Sequence, residues 1–259
     1  MISFTWFGTA TVLLDVDGEK LLFDPYFRIN KKLEQTALEE FCNADYILNT
    51  HPHFDHLCDC PKILPHTDAK LIAPPTALLR LEAQNVDVSD RMEIVCPHDK
   101  FKLKNCEIKI HRTQHCKNNL GIILKTAARI VFKFQFKKGL DILSVHKHFK
   151  MGGDIVAYEI ATENKTILLF GSAGFDDRAE LPKNVDVLIW PFQGRTGMTK
   201  YSLPIIEKIN PKKVVLDHFD DAFPPITGKV DTKQFVKVMK AKHPEIEVIV
   251  PKYKEKLEF

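Results

Sequence analysis

Four potential metal ligands lie within six residues of one another, at His51, His53, Asp55 and His56. They follow the apolar run Asp45–Asn49, which is typical of a strand that ends at a site. On an extended backbone, side chains two residues apart point to the same side, so His51 and His53 can share one cation. Asp55 and His56 can reach a second one. Imidazole and carboxylate are ligands of zinc and other divalent first-row metals, so the segment predicts two adjacent metal positions.

The order His-x-His-x-Asp-His resembles the signature of the metallo-beta-lactamase superfamily. Three further segments are similar to the branch that contains ascorbate-6-phosphate lactonase-like proteins and many uncharacterised hydrolases: 4–25, 186–194 and 211–221. The resemblance implies an αββα sandwich and a metal-dependent hydrolase. It covers nearly the whole chain except the stretch after His115.

Two further ligands are expected at strand ends. His218 follows a short apolar run and is predicted to meet the first motif across the sheet ends. His115 follows a strand-like segment, at the place of the family's third histidine. His146 and His148 compete with it because they lie closer to the next hairpin, although their Lys-rich surroundings are typical of a solvated helix end or loop.

The predicted centre therefore holds one ion through His51, His53 and His115, and another through Asp55, His56 and His218. Zinc is the expected metal, as one or two ions, and manganese or iron also suits these ligands. Metal-activated water would then attack an ester, lactone, amide or phosphoester bond of a small-molecule substrate. Asp55 is the predicted catalytic residue, which orients that water or passes its proton to the leaving group. The alternatives are a non-catalytic metal-binding protein of the same fold and an iron-dependent oxidoreductase.

Ser172 departs from the family pattern, which places a bridging Asp after the apolar run that ends in Gly171. The loss of that negative charge raises the repulsion between two dications, so the second ion should bind more weakly. Some beta-lactamases with Ser near this position still hold two zincs. Asp24 is a candidate partner for a ligand histidine, or else a turn carboxylate before Pro25. Arg195 is a candidate binder of an anionic substrate, or else part of a solvent-facing loop.

Hydrophobic periodicity indicates the elements that position these residues. Two hairpins are predicted over residues 2–24 and 154–172, and each leads into further strands and helices. Two such halves facing one another, with helices outside, give the αββα sandwich. Helices are predicted over Lys32–Cys42, Pro75–Gln84 and Thr232–His243. The final strand is predicted over Ile246–Val250.

Composition suits one layered α/β domain over residues 1–259, with 44% hydrophobic and 27% charged residues and a net charge of +3. An insertion is expected at about 117–152, where apolar residues alternate with Lys and Arg. It fits a helical lid, an oligomer or membrane-surface patch, or a packed insertion. The chain is therefore compatible with a homo-oligomer.

Several classes of protein are disfavoured. No apolar run approaches the length that spans a bilayer, and the amino terminus has no signal-peptide pattern, so the cytoplasm is expected. The six cysteines have no zinc-finger spacing and are predicted to be free thiols. No recognition helix or basic arm indicates nucleic-acid binding. The remaining histidines are predicted to be surface residues: His66, His98, His111 and His243.

Overall fold

The computed structural model describes residues 1–86, 90–132, 137, 139–142, 144, 154–175 and 179–259. His146 and His148 lie outside the described residues. The described strands are β1 (Ile2–Trp6), β2 (Val12–Val16), β3 (Glu19–Phe23), β4 (Tyr46–Leu48), β5 (Lys70–Ala73), β6 (Met92–Ile94), β7 (Lys100–Lys102), β8 (Glu107–Thr113), β9 (Ile155–Ala161), β10 (Thr166–Phe170), β11 (Val187–Pro191), β12 (Lys213–Asp217), β13 (Glu247–Ile249) and β14 (Lys256–Glu258).

Seven α-helices have both of their bounds within the described residues. They are α1 (Leu38–Cys42), α2 (Phe54–Leu57), α3 (Cys60–Ile63), α4 (Pro75–Glu82), α5 (Leu120–Phe132), α6 (Met198–Ile209) and α7 (Lys233–Lys242), with a 3₁₀ turn at Leu64–His66. Within the described ranges no helix is long and apolar enough to cross a membrane.

The strands form two seven-stranded sheets of similar design. One has the order β14-β1-β2-β3-β4-β5-β6 and the other β13-β12-β11-β10-β9-β8-β7. In each sheet, antiparallel pairing through a hairpin gives way to parallel pairing, at β3–β4 in the first and at β10–β11 in the second. The carboxyl ends of β3, β4, β8, β10 and β12 therefore open toward a common edge. Both predicted hairpins are confirmed.

The hydrophobic core lies between the sheets. Phe23 of β3 faces Tyr158 of β9 with ring centroids 5.6 Å apart, and the Tyr158 hydroxyl donates to the Asn49 carbonyl oxygen at 2.8 Å. Because strand side chains alternate, the neighbouring Leu22 points to the outer side, where it belongs to a cluster with Phe41 of α1. On the other sheet, α6 and α7 cover the outer side through buried apolar residues. This is the predicted αββα sandwich.

The predicted helix over Lys32–Cys42 is wrong for its first six residues, because only Leu38–Cys42 is helical. Side chains bind the backbone carbonyl groups that a helix would need. Gln35 Nε2 donates to the Leu33 oxygen at 2.7 Å and the Asn30 oxygen at 3.1 Å, and the Arg28 guanidinium donates to the Glu34 oxygen. Such local side-chain contacts compete with helix formation.

The prediction that Ile246–Val250 is the final strand is also wrong. The strand there spans Glu247–Ile249, and β14 follows it and pairs antiparallel with β1 in the other sheet. The chain end thus closes the edge of the first sheet. The insertion at about 117–152 contains α5, while 133–136, 138, 143 and 145–152 lie outside the described residues. The single-domain assignment stays a prediction.

Candidate metal centre

Six side chains named from the sequence meet at the common edge of the two sheets. His51 and His53 follow β4, His115 follows β8, and His218 follows β12. Ligand atoms of His51, His53 and His115 lie within 4.8 Å of one another, and so do those of Asp55, His56 and His218. We call these sets the first half-site and the second half-site.

The first half-site consists of three imidazoles, and the Nδ1 atoms of His51 and His115 already have hydrogen-bond partners. The Thr50 hydroxyl donates to Asp24 Oδ2 at 2.6 Å and therefore accepts from His51 Nδ1, which lies 2.9 Å away. His115 Nδ1 donates to the Cys116 carbonyl oxygen at 2.9 Å. In His51 and His115, Nε2 is then the unprotonated ring nitrogen, the form that binds a metal. His51 Nε2 is buried and has no hydrogen-bond partner among the described residues.

The second half-site is held by two carboxylates. His56 Nδ1 lies 2.7 Å from Asp24 Oδ2, and Asp24, which is fully buried, also accepts from the Thr50 amide at 2.8 Å. A histidine bound in this way has a fixed tautomer and ring orientation. His218 Nε2 donates to Asp55 Oδ2 at 3.1 Å.

Asp55 lies between the half-sites. Its Oδ2 atom contacts His218, while Oδ1 lies 3.4 Å from His53 Nδ1. Oδ1 is buried without a hydrogen-bond partner among the described residues. The half-sites are also adjacent through His51 and His56, whose ring centroids are 4.0 Å apart. Buried polar atoms normally have partners, so these orphaned atoms and this nitrogen and oxygen donor set fit divalent metal ions.

The two half-sites differ in the direction in which the pKa values of His51, His115 and His218 are shifted. Burial lowers the pKa values of His51 and His115, and for His51 the neighbouring histidines add to this effect, so both rings are neutral. Burial also lowers the pKa of His218, but the hydrogen bond and charge of Asp55 outweigh it and raise that pKa overall. Burial raises the pKa of Asp55, yet His56, His218 and His53 bring it well below its usual value.

Two turns beside the centre adopt backbone conformations that residues other than glycine rarely adopt. Asp24 has φ +44° and His218 has φ +51°, in the left-handed region that costs a non-glycine residue free energy. The His218 amide is held by the Thr9 carbonyl oxygen at 2.7 Å, and Asp24 is held by the bonds described above. The fold thus maintains strain at residues that face the centre.

Ser172 lies at the end of β10 and offers no carboxylate. Its Oγ atom accepts from the Cys116 amide at 3.0 Å. The preceding Gly171 approaches Thr50 so closely that an added Cβ would lie 1.9 Å from Thr50 Oγ1, and this contact brings β10 against the first motif.

Nearby, Asp217 is fully buried, and its burial raises its pKa.

Sequence reasoning missed Thr50, Asp217 and Asp220, which surround the predicted ligands. Asp220 Oδ1 accepts from the Thr9 amide at 3.0 Å, and Oδ2 lies 3.5 Å from Arg28 Nη1. Their positions within two residues of the predicted ligands in sequence were the available signal.

The prediction that His111 is a surface residue is wrong. His111 is buried, its Nε2 lies 2.5 Å from Glu159 Oε2, and its Nδ1 donates to the Glu180 carbonyl oxygen at 3.0 Å. A cross-strand carboxylate thus stabilises an imidazole away from the centre. His66 and His98 are exposed as predicted, and His243 is partly buried.

A cavity of about 730 Å³ opens above the two half-sites. Its wall includes Ser172, Arg195 and the inner side of α5. The Arg195 guanidinium stacks 4.3 Å from the centre of the Tyr201 ring, and its Nε atom is buried without a hydrogen-bond partner among the described residues. Potential metal ligands therefore form the floor of the cavity, and Arg195 places a positive charge on its wall.

The family model of the beta-lactamase superfamily domain matches residues 3–218, from β1 to the last histidine of the second half-site. The chain belongs to this family. A UPF0173 metal-dependent hydrolase of Methanopyrus kandleri is 24% identical over 250 residues, which is 95% of each chain. One of Caldivirga maquilingensis is 25% identical over 252 residues, which is 95% of this chain and 93% of the relative.

The fold of this beta-lactamase superfamily member is shared with solved structures. Igni18, a metallo hydrolase from Ignicoccus hospitalis, superposes with a TM-score of 0.66 and 19% identity, over 100% of this chain and 99% of that one. This likeness confirms the αββα architecture. The narrower resemblance to ascorbate-6-phosphate lactonase-like proteins stays a prediction.

Proposed function

We propose that this protein is a metal-dependent hydrolase that cleaves an ester, lactone, amide or phosphoester bond of a small molecule. The observation that carries this proposal is the pair of adjacent half-sites at the floor of the cavity, with Asp55 between them. The names of the two UPF0173 relatives support it. His51, His53 and His115 would hold one ion, and Asp55, His56 and His218 the other.

A divalent metal bound there supplies a low-pKa water and polarises the bond to be cleaved. The protein's own groups do the rest. Asp55 Oδ1 has no hydrogen-bond partner among the described residues and can accept a proton from the attacking water or release one to the leaving group. Asp24 positions His56, and Arg195 at the cavity wall binds a negatively charged group of the substrate.

We assign zinc as the resident metal, since imidazoles dominate the ligand set, and a cytoplasmic location, since all six cysteines are free thiols. A small-molecule substrate suits a cavity of this volume. Manganese and iron remain compatible with the same ligands. We assign no nucleic-acid partner.

Turnover by zinc-loaded protein on chromogenic esters, lactones, amides and phosphodiesters tests the proposal. We expect activity on at least one class, loss of activity with a chelator, and a decrease of about 10²–10⁴-fold in kcat for Asp55→Asn at equal metal content. His66→Asn, at an exposed histidine, is the matched control. Full metal occupancy without turnover on any class would favour the metal-binding alternative, and oxygen uptake by iron-loaded protein would favour the oxidoreductase.

A further inference from the structure

The outer face of α5 is the main exposed apolar surface among the described residues. Leu120, Leu124 and Val131 lie on one side of the helix, at spacings of four and seven residues. Leu124 is 61% exposed, and Phe132 beside this stripe is 82% exposed. Six of the ten strongly exposed large hydrophobic side chains of the described residues fall within residues 120–140. Contiguous exposed apolar surface of this kind marks an interaction site.

The helix is fixed to the protein by its opposite side. Asn119 Oδ1 accepts from the Ile122 amide at 3.1 Å and from the Thr196 amide at 3.2 Å, so it caps α5 and joins it to the cavity loop. Farther along, Arg129 Nη1 donates to the Ile226 carbonyl oxygen at 3.1 Å. Because these contacts hold the inner side, the exposed apolar stripe is not the side that docks on the protein.

The charge of this part of the sequence is strongly asymmetric. Residues 117–150 contain eight Lys and Arg and one Asp, which leaves 29 basic and 33 acidic residues for the rest of the chain. Lys117, which precedes α5, and Lys125, which lies within it, are exposed, and α5 itself contains no carboxylate. An exposed apolar helix face flanked by cations complements an anionic lipid surface.

A second copy of the chain complements the same face poorly. A symmetric dimer places the same patch of each subunit against the other. Here it would bring the exposed Lys117 and Lys125 of both subunits together, and such like-charge contact opposes association. Charge therefore favours lipid over a twofold partner.

We propose that the outer face of α5 docks on an anionic membrane surface, with the apolar stripe in the interface and Lys117 and Lys125 on the lipid headgroups. The same helix lines the cavity through Ile122, Ile123, Lys125, Thr126 and Arg129, so Lys125 lies where the cavity meets the outer face. Docking therefore brings the cavity beside the lipid. It requires neither metal nor turnover, so it stands apart from the hydrolase proposal.

Co-sedimentation of the full chain with vesicles tests this proposal. We expect binding to phosphatidylcholine vesicles that contain about one-quarter phosphatidylglycerol, no binding to pure phosphatidylcholine, and at least about tenfold weaker binding at about 500 mM salt than at about 50 mM. Leu124→Asp with Val131→Asp should weaken binding by at least about tenfold. Leu79→Asp is the matched control, since Leu79 on α4 is also 61% exposed. Circular dichroism and metal content confirm that each variant is folded.

Three results would overturn the proposal. The first is absence of wild-type binding to anionic vesicles at low salt. The second is an equal loss of binding in Leu79→Asp. The third is a wild-type dimer in solution that the α5 double variant dissociates, which would assign the face to a second copy of the chain.

Discussion

The two half-sites contain three potential ligands each but differ in charge. The first is made of three imidazoles, and the Nδ1–H groups of His51 and His115 donate to uncharged oxygen atoms. The second contains one carboxylate, and its histidines, His56 and His218, are bound to the carboxylates of Asp24 and Asp55. The carboxylates that contact the histidines therefore lie mainly on the side of the second half-site.

This difference indicates an order of metal binding. An ion entering the first half-site meets His51 and His115, whose lowered pKa values keep both rings neutral. An ion entering the second must replace the hydrogen bond between His218 and Asp55, and Ser172 supplies no anion to screen it from the first ion. We therefore expect the first half-site to fill first and the second to bind more weakly.

The largest expected effect comes from removing the first half-site. His51→Ala with His53→Ala should abolish metal retention, because it deletes two of three ligands from the site that fills first. Elemental analysis of purified protein measures this against wild type, which should retain at least about one equivalent. The exposed His66→Ala is the control. Full retention in the double variant would refute the site.

The identity of the third ligand gives the next largest effect. His115→Ala should weaken metal binding by more than the roughly 10–100-fold typical of changes to residues that only support a ligand. His146→Ala and His148→Ala should leave affinity near that of wild type. Competition with a chromogenic chelator measures all three, and an equal loss in His148→Ala would overturn the assignment of His115.

A smaller effect is expected from Asp24→Asn, which replaces the carboxylate that orients His56. The second binding step should weaken by roughly 10–100-fold. The first step should change less, because Asp24 is hydrogen-bonded to His51 through the Thr50 hydroxyl, whereas it lies 2.7 Å from His56 Nδ1 itself. Titration calorimetry resolves the two steps, so the first serves as an internal control. Equal weakening of both steps would show that Asp24 supports the whole centre.

Ser172→Asp should have the opposite sign. The added carboxylate at the end of β10 should tighten the second step by about tenfold, since it screens the repulsion between two dications. Ser172→Asn is the control, with similar size and no charge. If wild type already binds two ions tightly, or if both variants behave alike, Ser172 is not the cause of a weak second step.

The smallest effect is a pH dependence of the metal-free protein. For His51, whose pKa is lowered on folding from 6.5, the unfolded state binds more protons, so stability falls as the pH drops from 6.5 toward the folded value. For His218, whose pKa is raised, stability is instead gained as the pH falls. Melting temperatures with chelator between about pH 8 and about pH 5.5 should therefore fall less in His51→Gln and more in His218→Gln than in wild type. The same trend in both variants would contradict the electrostatic difference between the half-sites.

Local sequence patterns predicted those parts of the molecule that local physics determines. The hairpins have two-residue periodicity around turns such as Asp17-Gly18, and the first motif lies in one segment directly after β4. These features depend on residues that are close in sequence. The lack of a carboxylate at the end of β10 was likewise readable from Ser172 itself.

The remaining features depend on residues that are distant in sequence. His111 is buried because Glu159 on the neighbouring strand binds it, and β14 exists because it covers the open edge of β1. Residues 32–37 are not helical because side chains form hydrogen bonds with their carbonyl oxygen atoms. No periodicity within one segment contains this information.

Anomalous X-ray diffraction from zinc-loaded crystals tests the central claim most directly, because it locates each ion. At one equivalent of zinc we predict a single peak among His51, His53 and His115. At excess zinc we predict a second peak among Asp55, His56 and His218. A first peak within the second half-site, or elsewhere in the molecule, would contradict the account.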